Sequence, residues 1–180
     1  IELQDYLFET QYQAVESSMQ VIYEYLKIGK ELSSITNNKY DIFESYELDD
    51  ADAVIIVSSS TAGTVKSVID RMRKENKKVG LLKIKLYRPF PYKEIADALN
   101  KLNSKHFAVM DRAISKGALP PLYTDILSSC FMLNKRPKIQ SIVFGLGGRE
   151  ITEKEIENIF NNLLNNKINE NEIEYVGLRK

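Results

Sequence analysis

The spacing of apolar residues changes repeatedly along this chain, and each change marks a different kind of element. From 6 to 32 no proline interrupts and glycine comes only late, at Gly29. Val15, Met19, Ile22 and Leu26 follow one another by four, three and four residues, which places them on one face of a helix. The pattern predicts a long helix packed on the outside of a sheet. Tyr6, Phe8, Tyr12, Tyr23 and Tyr25 add an aromatic load that a partner subunit would also suit. After a polar break at 33–39, the stretch 40–48 reads as extended, with Tyr40, Ile42 and Tyr46 facing one way.

At Ala53-Val54-Ile55-Ile56-Val57 the helical period gives way to a continuous β-branched run, the mark of a strand buried on both faces. A turn of small and hydroxyl residues, 58–64, leads into Val65, Val68, Ile69 and Met72, again at helical spacing. The same alternation recurs. A strand over 79–87 is stopped by Arg88-Pro89-Phe90-Pro91, because proline cannot donate to a sheet ladder. Ile95, Ala98, Leu99 and Leu102 mark a helix from about Tyr92. His106-Phe107-Ala108-Val109-Met110 is the next strand, closed by Asp111-Arg112, and a loop over 113–121 follows it. A helix then carries Leu122, Ile126, Leu127, Cys130 and Phe131.

The strand 139–144 ends in Gly145-Leu146-Gly147-Gly148-Arg149, and Thr152 with Glu155 has the spacing of a capping box. Ile156, Ile159, Phe160, Leu163 and Leu164 form the inner face of the last helix, and 165–172 is a polar linker. The tail 173–178 alternates like an edge strand or a docked arm. Four strand–helix steps in succession predict an α/β fold: three layers, α/β/α, around a mostly parallel open sheet. We expect a single domain over 1–180, divided into a helical lead-in (1–48), the α/β core (49–164) and a C-terminal tail (165–180). The chain starts at Ile1 rather than methionine, so it is expected to be a fragment of a longer protein.

Composition narrows the function. Lysine plus arginine and aspartate plus glutamate both number 25, giving zero formal net charge, so the broad positive field of a nucleic-acid binder is absent and no nucleic-acid partner is expected. No apolar run reaches the roughly 18–20 residues that span a bilayer, and no membrane partner is expected. The single cysteine, Cys130, cannot form an internal disulfide or hold an iron–sulfur cluster, and a buried apolar role suits it. These features fit a cytoplasmic protein.

The candidate chemistry is sparse. Asp49-Asp50-Ala51-Asp52 has no nearby histidine and reads as solvated loop rather than metal site. His106 stands at a strand's entrance, opposite the end where α/β sheets gather ligands. The serines therefore lack a base, and no catalytic residue is assigned. Gly145-Leu146-Gly147-Gly148 follows the last clear strand and has Glu150 where a dinucleotide fingerprint needs glycine. The 58–64 turn resembles the hydroxyl-rich phosphate loop of flavodoxins, which leaves an independent phosphate- or flavin-binding module as the alternative reading. A tight turn for close strand–helix packing is favoured, because flavodoxins place that loop after the first strand.

Five stretches, in order, carry a more specific resemblance. They are Ser60-Thr61-Ala62-Gly63-Thr64; the 79–84 strand running to Arg88-Pro89-Phe90-Pro91; Met110-Asp111-Arg112-Ala113-Ile114-Ser115 with Pro121-Leu122-Tyr123; Gly145-Leu146-Gly147-Gly148-Arg149-Glu150-Ile151-Thr152; and Val176-Gly177-Leu178-Arg179. With these, nearly the whole chain resembles the C-terminal domain of the α subunit of pyruvate:ferredoxin and related 2-oxoacid:ferredoxin oxidoreductases. One departure is visible: between Ser115 and Leu122 the family's glycine-rich loop is replaced by a shorter segment with Pro120 and Pro121.

The resemblance implies a fold like the C-terminal domain of transketolase. It also implies a holoenzyme that uses thiamine diphosphate, Mg, iron–sulfur clusters and CoA to convert pyruvate or another 2-oxoacid to an acyl-CoA, with electrons passed to ferredoxin. None of those cofactors is expected on this chain, whose role would be assembly and positioning, inactive alone. Its partners would be the rest of the α subunit and the other subunits. Arg88, Asp111, Arg112 and Arg149 all follow strands and should share one edge of the sheet. Asp111 or Glu150 pairing with an arginine would pin the loops there; recognition of a neighbouring domain is the functional reading. With Ser60, Thr61, Gly63, Gly147 and Gly148, these residues form the candidate interface.

Overall fold

A computed structural model describes residues 4–104 and 106–179. They form two compact units, one comprising residues up to 42 together with 86–91, the other 43–85 together with 92 onward.

The first unit is built on helix α1 (Gln4–Thr36). Its last turns meet the returning chain. A Cβ on Gly29 would lie 2.8 Å from the Tyr40 carbonyl oxygen, so only glycine admits this contact. The Tyr25 hydroxyl donates to the Asp41 carbonyl at 3.4 Å. Gly29 is the helix's single buried residue among those described. Along the rest of the predicted stripe, Val15 and Met19 are 60% and 55% exposed, and Ile22 and Leu26 are half-buried.

The second unit holds a six-stranded sheet. Its strands are β1 (Phe43–Tyr46), β2 (Ala53–Ser58), β3 (Val79–Ile84), β4 (His106–Asp111), β5 (Lys138–Val143) and β6 (Ile173–Tyr175), in the spatial order β1-β3-β2-β4-β5-β6. Every pairing is parallel except that of β1 with β3. The helices are α2 (Thr61–Lys74), α3 (Tyr92–Asn100), α4 (Pro121–Cys130) and α5 (Glu153–Leu164). This is the expected α/β architecture, with the tail contributing β6 as an edge strand.

Because successive strand residues face opposite sides, Ile55, Val57, Leu81, Ala108, Met110 and Ile142 turn toward one helical layer. That layer is α2 and α5, whose Val65, Val68, Ile69, Met72, Ile156, Ile159, Phe160 and Leu163 complete the larger core. The alternate residues, Val54, Ile56, Leu82, Phe107 and Val109, are equally buried on the other face. There α3 and α4 supply Ile95, Leu99, Leu122 and Ile126. Arg71 ties the first layer together by bonding Glu153 at 2.6 Å and Glu157 at 2.9 Å.

Three expectations shift at element ends. The strand predicted over 79–87 stops at Ile84, and the following 86–91 segment belongs to the first unit. The extended stretch predicted at 40–48 pairs only over Phe43–Tyr46, where the Tyr46 hydroxyl donates to Asp70 at 2.6 Å. The helix expected to carry Phe131 ends at Cys130, and Phe131, its C-cap residue, is 93% exposed. Among the described residues, no helix is long and apolar enough to cross a membrane.

Candidate functional site

Parallel strands bring their C-terminal ends to one edge, where connecting loops are free to vary while the sheet holds them in place. In the second unit, the loops after β2, β4 and β5 meet around a shallow depression of about 580 Å³ lined by Ser60, Thr61, Thr64, Arg112, Arg149 and Glu150, among others. Five of the expected interface residues therefore come together there: Ser60, Thr61, Arg112, Gly148 and Arg149.

The β2–α2 turn is tight for a reason the sequence conceals. Ser59 takes φ 64°, in the left-handed region that serine enters only at a cost of about 1 kcal/mol. Ser60 occupies the N-cap of α2, but its side chain makes no capping hydrogen bond. Gly63, expected to serve the turn, has an ordinary φ, and a Cβ there would meet nothing among the described residues within 4 Å.

The β4–α4 connection works differently. Asp111 is buried, and its two carboxylate oxygens accept from the backbone N–H groups of Leu122, at 2.9 Å, and Tyr123, at 3.0 Å. The carboxylate thus caps α4 from a neighbouring strand, filling donors that Pro120 at the N-cap leaves unmet. Burial pushes the Asp111 carboxyl above its ordinary range, against the two N–H bonds that pull it down. The expected pairing of Asp111 with an arginine is replaced by this helix cap, and the residue serves the fold rather than the edge. The prolines that stiffen the loop have a matching purpose: Pro121 is preset for the first turn of α4.

Arg112, the next residue, is exposed. Its guanidinium lies across the β5–α5 loop and donates to the Gly145 carbonyl at 3.5 Å. A Cβ on Gly145 would come within 2.8 Å of Arg112 Nε. Gly145, Gly147 and Gly148 all have positive φ, so the loop curls back on itself before α5. Arg149 donates to the Gly177 carbonyl at 2.5 Å, fixing the chain beyond β6 to this loop. The arginines pin the loops through main-chain carbonyls. Arg88 belongs to the first unit, where its guanidinium stacks 4.2 Å from the Tyr87 ring centroid and donates to the Tyr87 carbonyl.

The N-termini of α2 and α5 at this edge differ in the charge beside them. At α5, Thr152 Oγ1 accepts from the Glu155 N–H at 3.3 Å and Glu155 accepts from the Thr152 N–H at 2.7 Å, the capping box read from the sequence. Glu153 follows at once, its carboxyl held below the usual range by the hydrogen bond from Ser67 and then by Arg71. A pyrophosphate would meet those carboxylates, which rules the glycine loop out as a dinucleotide cradle. The start of α2 carries no acidic residue in its first turn.

The edge holds hydroxyls, arginines and loop backbone, while His106 opens β4 at the sheet's far edge. Cys130 is buried and its thiol is pushed up to about 12, the reverse of what a thiolate ligand needs. One cysteine also cannot supply the four thiolates of an iron–sulfur cluster, so these residues do not fit one. Among the described residues, no group of three or more metal-ligating side chains converges.

Comparison with known proteins agrees with the architecture. The chain is 38% identical to pyruvate synthase subunit PorA of Thermotoga maritima over its whole length, covering 45% of that subunit. It is 33% identical to pyruvate synthase subunit PorA of Methanothermobacter thermautotrophicus over 98% of its length, covering 44% of that subunit. The chain thus spans less than half the length of these relatives. Among solved structures, a 2-oxoglutarate:ferredoxin oxidoreductase from Magnetococcus marinus, with 2-oxoglutarate, coenzyme A and succinyl-CoA bound, matches 75% of this chain and 21% of its own at TM-score 0.53 and 24% identity, a likeness of fold. A family model described as pyruvate:ferredoxin oxidoreductase core domain II matches residues 51–156, well over half of the chain, and the protein belongs to that family.

Proposed function

We propose that this chain is the assembly and positioning domain of the α subunit of a 2-oxoacid:ferredoxin oxidoreductase. The holoenzyme would oxidatively decarboxylate pyruvate, or a related 2-oxoacid, to its acyl-CoA and pass the electrons to ferredoxin. The carrying observation is the full-length match to pyruvate synthase subunits of which this chain is under half. Thiamine diphosphate, Mg and the clusters would be held by other parts of the complex, since this edge offers neither thiolates nor a converging acidic group. Ferredoxin and CoA would be met through the holoenzyme.

The edge around Arg112 and Arg149 suits a joint. Arginine is enriched at interfaces, and both guanidiniums here are exposed while anchored to loop carbonyls, so they are already oriented before a partner arrives. Gly63 supports the same reading. It sits in the first turn of α2, where the described residues give no steric reason for glycine. A neighbour approaching the helix backbone would give one. Co-expression of the full-length subunit with its partners tests the proposal. Arg112→Ala with Arg149→Ala is expected to lower the assembled fraction while the thermal midpoint of the isolated chain stays near that of the parent. Assembly at the parent level would overturn it. The flavodoxin-like alternative is tested by the visible spectrum of the purified chain, which flavin would colour yellow.

A further inference from the structure

The apolar stripe of α1 is longer and more regular than a surface helix needs. Phe8, Tyr12, Val15, Met19, Ile22 and Leu26 follow at intervals of four, three, four, three and four residues, six consecutive core positions of a heptad repeat. That 3.5-residue period is the signature of a helix pairing lengthwise with another helix, and it runs about 27 Å at 1.5 Å per residue. The next position in the series is Gly29, and it is filled: the chain's own Tyr40 lies against it. Toward the N-terminus the seam has no such cover. Phe8 is 79% exposed and Tyr12 59%.

Charge says what kind of helix would lie there. From residue 4 to 26 the helix carries Asp5, Glu9, Glu16 and Glu24 and neither lysine nor arginine. Glu9 and Glu16 directly follow Phe8 and Val15, so they flank the seam at the positions that face a partner's side chains in a coiled coil. A second copy of α1 offers Glu9 and Glu16 neither lysine nor arginine over 4–26, and an anionic lipid surface would be repelled by the same four carboxylates.

We infer that the 8–26 seam of α1 is a docking surface for a second α-helix of the assembled oxidoreductase, one with its own apolar heptad stripe and lysines or arginines beside it. This deepens the assembly reading above, but uses a different surface from the Arg112–Arg149 edge, so the two fail separately. Partner and seam would interlock knobs-into-holes, with Glu9 and Glu16 setting direction and register.

A photo-reactive phenylalanine analogue placed at Val15 of the full-length subunit, in the assembled complex, tests this directly. The expected cross-link is to a helix with heptad apolar spacing and basic flanking residues. Met19→Glu should lower the cross-link yield at least about tenfold, because a carboxylate would be buried in the seam. Leu7→Glu, exposed but off the seam, should leave the yield unchanged. Glu9→Lys with Glu16→Lys should reduce it, and acidic replacements at the mapped basic residues should restore it. Capture of a second α1, of a non-helical or acidic surface, or of nothing in a complex that assembles normally would each overturn the proposal. A complex that fails to assemble with Arg112→Ala and Arg149→Ala, yet cross-links normally when parental, would leave it standing.

Discussion

Helices α1 and α2 carry the same kind of sequence pattern and meet opposite fates. In α2, fourteen residues bury Thr61, Ala62, Val65, Val68, Ile69 and Met72 against the sheet and α5. In α1, thirty-three residues bury Gly29 alone. Period and apolar content tell that each helix has a face to cover. They do not tell what covers it. For α2 the cover is the adjacent β-branched run; for α1 the relatives, more than twice as long as this chain, have room to supply it.

The largest expected contrast is therefore in stability. Ile69→Ala, in the covered stripe, should cost the isolated chain about 2–5 kcal/mol, and Val15→Ala, in the open one, within about 0.5 kcal/mol. Urea unfolding checks both, and equal losses would break the comparison. Asp111→Ala comes next, at about 2 kcal/mol, because it strands two buried N–H groups at the start of α4. Asp111→Asn should recover part of that, by keeping one acceptor oxygen.

The glycines sharpen the comparison within one unit. A Cβ on Gly80 would fall 2.5 Å from the Glu47 carbonyl, so Gly80→Ala should destabilise the chain. Gly63→Ala should instead stabilise the isolated chain by about 0.4–1 kcal/mol, since the helix accepts alanine there and the unfolded chain loses freedom. In the complex the same change should weaken assembly. A stabilised chain that also assembles normally would remove Gly63 from the joint.

The smallest expected effect is on pH dependence. Glu44 and Glu153 are held below the ordinary carboxylate range, by the hydrogen bond from Lys66 and by those from Ser67 and Arg71 respectively. Their contribution is fully present above the unfolded carboxylate pKa and is lost as pH falls through the lower folded values. Asp111 and Glu174 are raised by burial, so they act the other way, favouring the folded state as they take up protons. Lys66→Ala with Arg71→Ala should flatten the fall of the thermal midpoint between about pH 5 and about pH 3. An unchanged slope would show those pairs contribute nothing.

Much of the second unit was legible because its signals are local. The β2 run, the stripes of α2 and α5 and the Thr152–Glu155 box each depend on residues within a few positions. What the sequence concealed depends on distance. Asp111 caps a helix that begins ten residues later, after a loop whose path no local pattern sets. Ser59 takes its left-handed φ because the chain must turn from β2 into α2 at that point, and serine carries no mark of it. Gly145 is where Arg112, distant in sequence, crosses the loop. At the edge itself, Arg112 and Arg149, each placed after a strand, line one depression. Arg88 stands four residues beyond the end of β3 at Ile84 and belongs to the other unit.

The central claim is that this chain assembles an oxidoreductase rather than performing its chemistry. Its most direct test is pyruvate-dependent reduction of a viologen dye, measured for this chain alone and for the full-length subunit with its partners, each with thiamine diphosphate, Mg and CoA added. The account expects reduction by the assembled subunits, none by the chain alone, and a loss in the Arg112→Ala, Arg149→Ala complex that tracks the fraction assembled. Turnover by the isolated chain, or full activity in a doubly substituted complex, would contradict it.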